Sequence, residues 1–329
     1  MLNLVGRYDA SMAKHVLAAS NAFRASHVEL YDFALPAAAG MWNLRWQVRG
    51  YVDAKPTVSA TELSSRFVFG SGLSYRNLRA PFVDQGWEEQ QDQFARFLLM
   101  NLVSLYEGFV AELEIDFALK GVAKSLQFPS YGVGGRDKAG VNEALSDLAT
   151  TPSAVMEKNF RPIAISHPRY RRSNIDDLMQ MFRYFKEVRN AYAHANGVVK
   201  EYMAAASSAA RSLPDGVFPS PLPSRIPALV PGQKARVSWR DVQTFSEVLL
   251  WIVSTIDAEL CGTAQAEQQL LRDWASRFDA QRDIRVPSDP VRRQRWLSNH
   301  VVALGYPRPA EPSSLEGLLK EAGLLSDRV

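Results

Sequence analysis

Arg189, Asn190 and His194 fall within one short stretch, and their side chains suit chemistry on a phosphodiester. RNA can be cut without a metal ion when its 2′-hydroxyl attacks the adjacent phosphate. That step needs a proton acceptor, a proton donor and something to stabilise extra negative charge. A histidine titrates near neutral pH and can serve as base or acid. A positioned group of this kind typically supplies about 10²- to 10⁴-fold in rate. An arginine stays charged and offers a planar fork of donors to phosphate oxygens. Asn190 can position substrate or orient the histidine, and at four residues' separation it shares a helix face with His194. Arg189 lies about 140° away from His194 around a helix. One helix therefore does not bring the pair together, whereas a second copy of the same helix would.

The spacing alone is weak. An arginine followed by a histidine four to six residues later arises about once by chance in this composition. Arg161 before His167 and Arg295 before His300 are such pairs. The first contains Pro162 and the second has Trp296 beside the arginine. Asn190 separates the remaining match, because an Arg-Asn pair with a histidine at this distance is expected only about 0.01 times. The bland alternative is a surface arginine and a satisfied histidine on an ordinary helix. Tyr192 falls on the apolar side of the helix and reads as core.

Other chemistries find less support. The histidines at 15, 27, 167, 194 and 300 show no HxxxH or HExxH spacing. The glycine-rich stretch 128–140 lacks GxxxxGK[ST], since Lys138 is followed by Ala139, and Gly132, Gly134 and Gly135 do not make GxGxxG. No GxSxG elbow and no RNA-recognition string of stacked aromatics is present. No metal or cofactor is expected.

The elements that must hold Arg189 and His194 are helical. Leu178, Met181, Phe182, Phe185, Val188, Tyr192, Ala195 and Val199 share one side at 100° per residue, which predicts an amphipathic helix over about 174–203. Ser173 or Asn174 would cap it, and Gly197 would interrupt or end it. Leu98, Leu102, Leu105, Phe109 and Leu113 predict a long helix over 87–120. A third helix is expected over 238–260, with shorter ones at about 10–34, 264–280, 288–304 and 313–324. Trp42, Leu44, Trp46 and Val48 alternate as in a strand, and Phe67-Val68-Phe69 suggests another. Six prolines between 214 and 231 predict a long loop. The expected class is mainly α: a helical bundle with a long Pro-rich insertion and a small mixed N-terminal segment. The divisions are 1–86, of mixed structure, then 87–260, with insertions at about 121–172 and 205–237, then a helical extension over 261–329.

Composition sets outer limits. The chain has 329 residues, 47% apolar and 22% charged, enough to bury a core without staples. A single cysteine, Cys261, rules out an intrachain disulfide and fits a reducing, cytoplasmic setting. No apolar run approaches the length of a membrane span, and the first residues do not read as a signal peptide. Net charge is only +3, so there is no strongly basic footprint. Local clusters at Arg169, Arg171 and Arg172, and at Arg292, Arg293 and Arg295, read first as solvated faces.

The run Val188-Arg189-Asn190-Ala191-Tyr192-Ala193-His194-Ala195-Asn196-Gly197 resembles the signature of HEPN domains, helical proteins of toxin–antitoxin and phage-defence systems. The helix at 87–120, with Leu105-Tyr106-Glu107-Gly108-Phe109, is similar to the family's first long helix, and that at 238–260 to its last. The resemblance covers about residues 87–260. It implies a metal-independent endoribonuclease that leaves a 2′,3′-cyclic phosphate, with Arg189, Asn190 and His194 as catalytic residues. It also implies RNA as substrate, a homodimer with both signatures facing one groove, and an antitoxin or other defence protein as partner. The alternative is a non-catalytic helical RNA-binding or protein-interaction module that keeps the signature for structure.

Overall fold

The computed structural model describes residues 14–72, 77–117, 121–130, 140–214, 226–278 and 286–325. Parts of several expectations therefore lie outside the described residues: 10–13 of the first expected helix, 118–120 of that at 87–120, 131–139 of the glycine-rich stretch, 215–225 of the proline-rich loop and 279–280 of the helix at about 264–280.

The protein is mainly α, with no strand among the described residues. A central group of helices carries the core: α1 (Ala18–Ala54), α3 (Trp87–Asp116), α8 (Ile175–His194) and α10 (Trp239–Leu260). Each packs on the others in the group, apart from α1 and α8, and α9 (Glu201–Arg211) lies along α8. The buried stripe of α3 runs through Leu98, Leu99, Leu102, Tyr106, Phe109 and Leu113, at the three-and-four spacing of one helix face. That of α8 runs through Leu178, Phe182, Phe185 and Val188. Tyr106 meets Phe182 at 4.6 Å between ring centroids, and Phe185 stacks on Phe245 of α10 at 4.6 Å. Helix α3 is long and apolar enough by length and composition to cross a membrane. Its buried side chains are spent on α1, α8 and α10.

One continuous core includes Val16 at one end of the sequence and Leu325 at the other. It crosses both sequence divisions at 86 and 260. A smaller cluster at the far end of α1 joins Val48 and Val52 to Val58, Leu63, Val68 and Leu78, with α2 (Ala60–Phe67) supplying Leu63.

Both strand expectations in 41–70 are overturned: Trp42 to Val48 lie within α1, and Phe67 ends α2, with Val68 as its C-cap and Phe69 in the turn that follows. The alternation of Trp42, Leu44, Trp46 and Val48 is accidental. Arg45, Val48 and Val52 turn inward at helical spacing, while Trp42 and Trp46 meet edge to face four residues apart on the outside. Extending a helix already nucleated is favourable even through residues of middling propensity. Pro36 removes one backbone donor within α1 without ending it.

The stretches expected as loop insertions also contain helices. Segment 121–172 holds α4 (Val122–Ser125), α5 (Val141–Leu148), α6 (Ala154–Asn159) and α7 (Arg161–Ile165), and 205–237 begins inside α9. These helices are too short to show periodicity, and local chemistry starts some of them. Ser153 caps α6 by accepting from the Met156 N–H, and Pro162 sits in the first turn of α7. The C-terminal tail follows the expected pattern with α11 (Ala264–Phe278), α12 (Pro290–Ala303) and α13 (Pro312–Glu321).

Helix α8 is shorter than expected. Its N-cap is Asn174, whose side chain makes no cap bond, and it ends at His194. Asn196 and Gly197 then take positive φ, 49° and 80°. Glycine adopts this conformation freely and asparagine tolerates it. The Gly197 N–H bonds back to the Ala191 carbonyl at 2.8 Å, closing the helix end.

Candidate functional site

The last two turns of α8 carry all three sequence-predicted residues, and each has a different environment. Arg189 is mostly buried and reaches α3, where its Nη2 lies 2.6 Å from Glu107 Oε1. Lys186, one turn earlier, places Nζ 2.8 Å from the same oxygen. Burial works against the Glu107 carboxylate, but the hydrogen bonds and charges of Lys186 and then Arg189 outweigh it and hold its pKa below the usual value. Arg189 Nε is buried and has no hydrogen-bond partner among the described residues.

Asn190 donates through Nδ2 to Glu187 Oε2 at 3.3 Å. Glu187 is 1% exposed and also pairs with Arg183, whose guanidinium lies over the Phe128 ring. A buried carboxylate is tolerable only when paired in this way. His194 differs from both neighbours. It is exposed on the final turn and makes no hydrogen bond or ion pair among the described residues. Both ring nitrogens are therefore open to a ligand.

The exit turn is fixed from the other side. Tyr192 donates its hydroxyl to the Ala235 carbonyl at 2.6 Å and lies under the Arg96 guanidinium at 4.7 Å. A Cβ on Gly197 would stand 3.3 Å from the Tyr192 ring. Val199 is buried and its N–H donates to the Gln233 carbonyl, while the Ala235 N–H donates to that of Gly197. Tyr192 and Val199 are thus committed within the chain's own packing. Tyr106, beside Glu107, is buried and donates to the Leu126 carbonyl at 2.7 Å, so it does not line a groove.

Sequence reasoning found Arg189, Asn190 and His194 but missed their anchors. Glu107 lies on another helix, and its role is visible only once α3 and α8 pack. Glu187 had a local signal, an acidic residue on the apolar side of α8. Both basic clusters are partly structural: Arg169 pairs with Glu247 at 3.3 Å, Arg172 with Glu259 at 3.1 Å, and Arg293 with Glu316 at 3.0 Å. Arg171 lies over Trp251 at 4.4 Å.

A second polar constellation is buried around α10 and has no local sequence signal. His15 Nε2 lies 3.0 Å from Ser254 Oγ, and His27 Nε2 lies 2.6 Å from Ser246 Oγ. The His15 ring stacks on His167 at 5.5 Å. Asp257 accepts from the backbone N–H groups of Val16 and Leu17, the latter at 2.8 Å. It thereby satisfies the start of α1, whose own N-cap, Leu17, has no side-chain acceptor. The Ser254 and Ser246 hydroxyls sit beside imidazoles, but both serines are buried from substrate and Asp257 serves backbone donors, so this is a structural network. Among the described residues, no three His, Cys, Asp or Glu side chains group as a metal site.

Comparisons with protein-family models, with curated proteins and with solved structures find no match.

Proposed function

We propose that the chain is a metal-independent endoribonuclease of HEPN type, acting as a homodimer. The observation that carries this reading is the end of α8: an exposed, unpartnered His194 five residues after an Arg189 that is held by Glu107. His194 exchanges protons with the attacking 2′-hydroxyl or the leaving oxygen. Arg189 stabilises charge on the phosphate, and Asn190 orients substrate. Because Arg189 is paired with Glu107, its guanidinium must re-aim for catalysis. The unsatisfied Nε lowers the cost of that movement, since the resting arrangement already lacks one hydrogen bond. Resemblance to the HEPN signature supports a cytoplasmic toxin or antiviral role with an antitoxin or defence partner.

The test is digestion of a labelled RNA in excess chelator. Cleavage that persists, leaves a 2′,3′-cyclic phosphate and vanishes in His194→Ala supports the reading. Activity that needs an added divalent ion overturns it. One observation favours a second reading, a non-catalytic RNA-binding or protein-interaction module. Glu107 already holds the Arg189 guanidinium and the Lys186 ammonium in a cross-helix ion pair, an arrangement that would keep the signature for structure without catalysis. Tight RNA binding without cleavage would favour that alternative.

A further inference from the structure

A cavity of about 250 Å³ opens between the middle of α1 and the first turns of α3 and α10. Its walls are Trp42 from α1, Trp87, Gln91 and Phe94 from α3, and Trp239 from α10. Space remains because α1 presents Ala38 and Ala39 where larger side chains would fill it. Trp42 meets Trp87 at 4.7 Å between centroids on one side, and Phe94 stacks on Trp239 at 5.4 Å on the other. Trp42 is 38% exposed even though it packs edge to face on both Trp46 and Trp87, so indole surface remains open at the cavity mouth. Gln91 is half-buried in the wall and makes no hydrogen bond among the described residues. Its planar amide offers a donor and an acceptor side by side.

We infer that this cavity receives one unstacked nucleobase of a single-stranded RNA, held between indole faces and read at its edge by Gln91. The volume is below the roughly 300–1,000 Å³ of pockets for drug-sized ligands and suits a single ring system. Aromatic faces bind bases by stacking, and an amide pairs with the donor and acceptor pattern of a base edge. Position adds a second argument. The segment after Gln233 leaves the α8 exit turn and ends at Trp239. Along it Ala235 and Val237 point inward while Lys234 and Arg236 are exposed. A basic edge therefore links the His194 end of α8 to the aromatic cavity. Asp92, near Arg96 and Arg236, offsets part of its charge, with Asp241 and Glu88 close to Asp92. A strand whose phosphates follow Lys234 and Arg236 would present one base to the cavity and another linkage to His194. This inference rests on the reading of the substrate as RNA.

The experiment titrates tryptophan fluorescence with a short unstructured RNA oligomer, using His194→Ala protein so that no strand is cut. Saturable quenching is expected. Gln91→Leu and Trp42→Leu should each weaken binding about tenfold, in line with the loss of one stacked or edge-read base. Both residues are exposed or half-buried, so circular dichroism should show an unchanged fold. Cleavage by the otherwise wild-type Gln91→Leu chain is measured in parallel. Cleavage at high RNA concentration with raised KM and unchanged kcat supports the inference. Wild-type binding and KM in both variants overturn the cavity while leaving the ribonuclease standing. Absence of cleavage in every form, with cavity-dependent binding intact, overturns the ribonuclease and keeps the cavity. Quenching by tetramethylammonium or a tryptophan-containing peptide, with none by RNA, overturns the nucleobase assignment.

Discussion

Arg189 and Glu107 form a 2.6 Å ion pair between α8 and α3, so the arginine picked out by the sequence is already held by a carboxylate from another helix. Lys186 shares that carboxylate. Glu107→Gln should leave two mostly buried cations facing each other at a position where the acidic side chain itself is about a third exposed. Because the site is partly solvated, the expected loss of stability is only about 1 kcal/mol. The freed guanidinium should add a phosphate contact, steepening the salt dependence of single-stranded RNA binding by about 0.7 in log–log slope. Anisotropy titrations between low and moderate salt read this directly. An unchanged slope would mean that Arg189 does not face RNA.

His194→Ala should be close to neutral for folding, because the ring is exposed and unpartnered. Arg189→Ala removes a cross-helix ion pair, yet Glu107 keeps Lys186, so a loss of about 1 kcal/mol is expected. If the chain is a toxic nuclease, both variants should relieve the growth defect caused by the wild type. Arg295→Ala should relieve nothing. Growth curves paired with thermal melts separate lost activity from lost fold. Equal growth of cells making wild type and both variants would point to the binding module.

How much was legible follows from where the information lies. The helices α3, α8 and α10 are long enough for their apolar spacing to rise above noise, and their ends are set by local residues such as Gly86, Gly197 and Ser238. Helix α1 was half hidden, because Trp42 and Trp46 spend their apolar surface outside the core and mimic a strand face. The helices within 121–172 are shorter than the window that periodicity needs. At the site, the signature itself was readable in one stretch. Glu107 was not, because pairing across helices depends on register. The network of His15, His27, His167 and Asp257 was invisible for the same reason: its bonds join residues more than 200 positions apart.

That network should make the fold acid-labile. His15 is held at about 4, by burial first and then by the charges of Arg24 and Arg169. Burial and Arg169 hold His27 at about 4, and His167 falls to the same value chiefly through burial. Their folded values lie below the unfolded value of 6.5, so the stability they supply is complete above 6.5 and is lost as pH falls toward 4. For His15 and His27 the loss is on the order of 3 kcal/mol each. Asp257 acts in the opposite sense. Burial raises it to about 6, so its contribution is present below 3.8 and lost as pH rises through 6. It offsets only part of the histidine effect. Urea midpoints should therefore drop from pH 7 to pH 4, and His27→Gln should flatten that drop. A midpoint independent of pH over this window would contradict the burial of these rings.

The angular separation of Arg189 and His194 leads to the last prediction. At about 140° apart on one helix, the two cannot both face one phosphate without help. Tyr192 and Val199 are committed inside the protomer, so a dimer at the end of α8 would have to rely on exposed polar groups there and on neighbouring surfaces. If a two-fold axis passes near that end, the Arg189 of one protomer serves the His194 of its partner. The Arg189→Ala and His194→Ala proteins would then each be inactive alone. After subunit exchange, half of the dimers would be mixed, and each mixed dimer would carry one intact site of two. Cleavage should return to about one quarter of the wild-type rate. Light scattering on the same samples must show a dimer. If the mixture stays inactive although exchange is complete, each protomer builds its own site, and Arg189 must swing from Glu107 to reach His194 within a single chain.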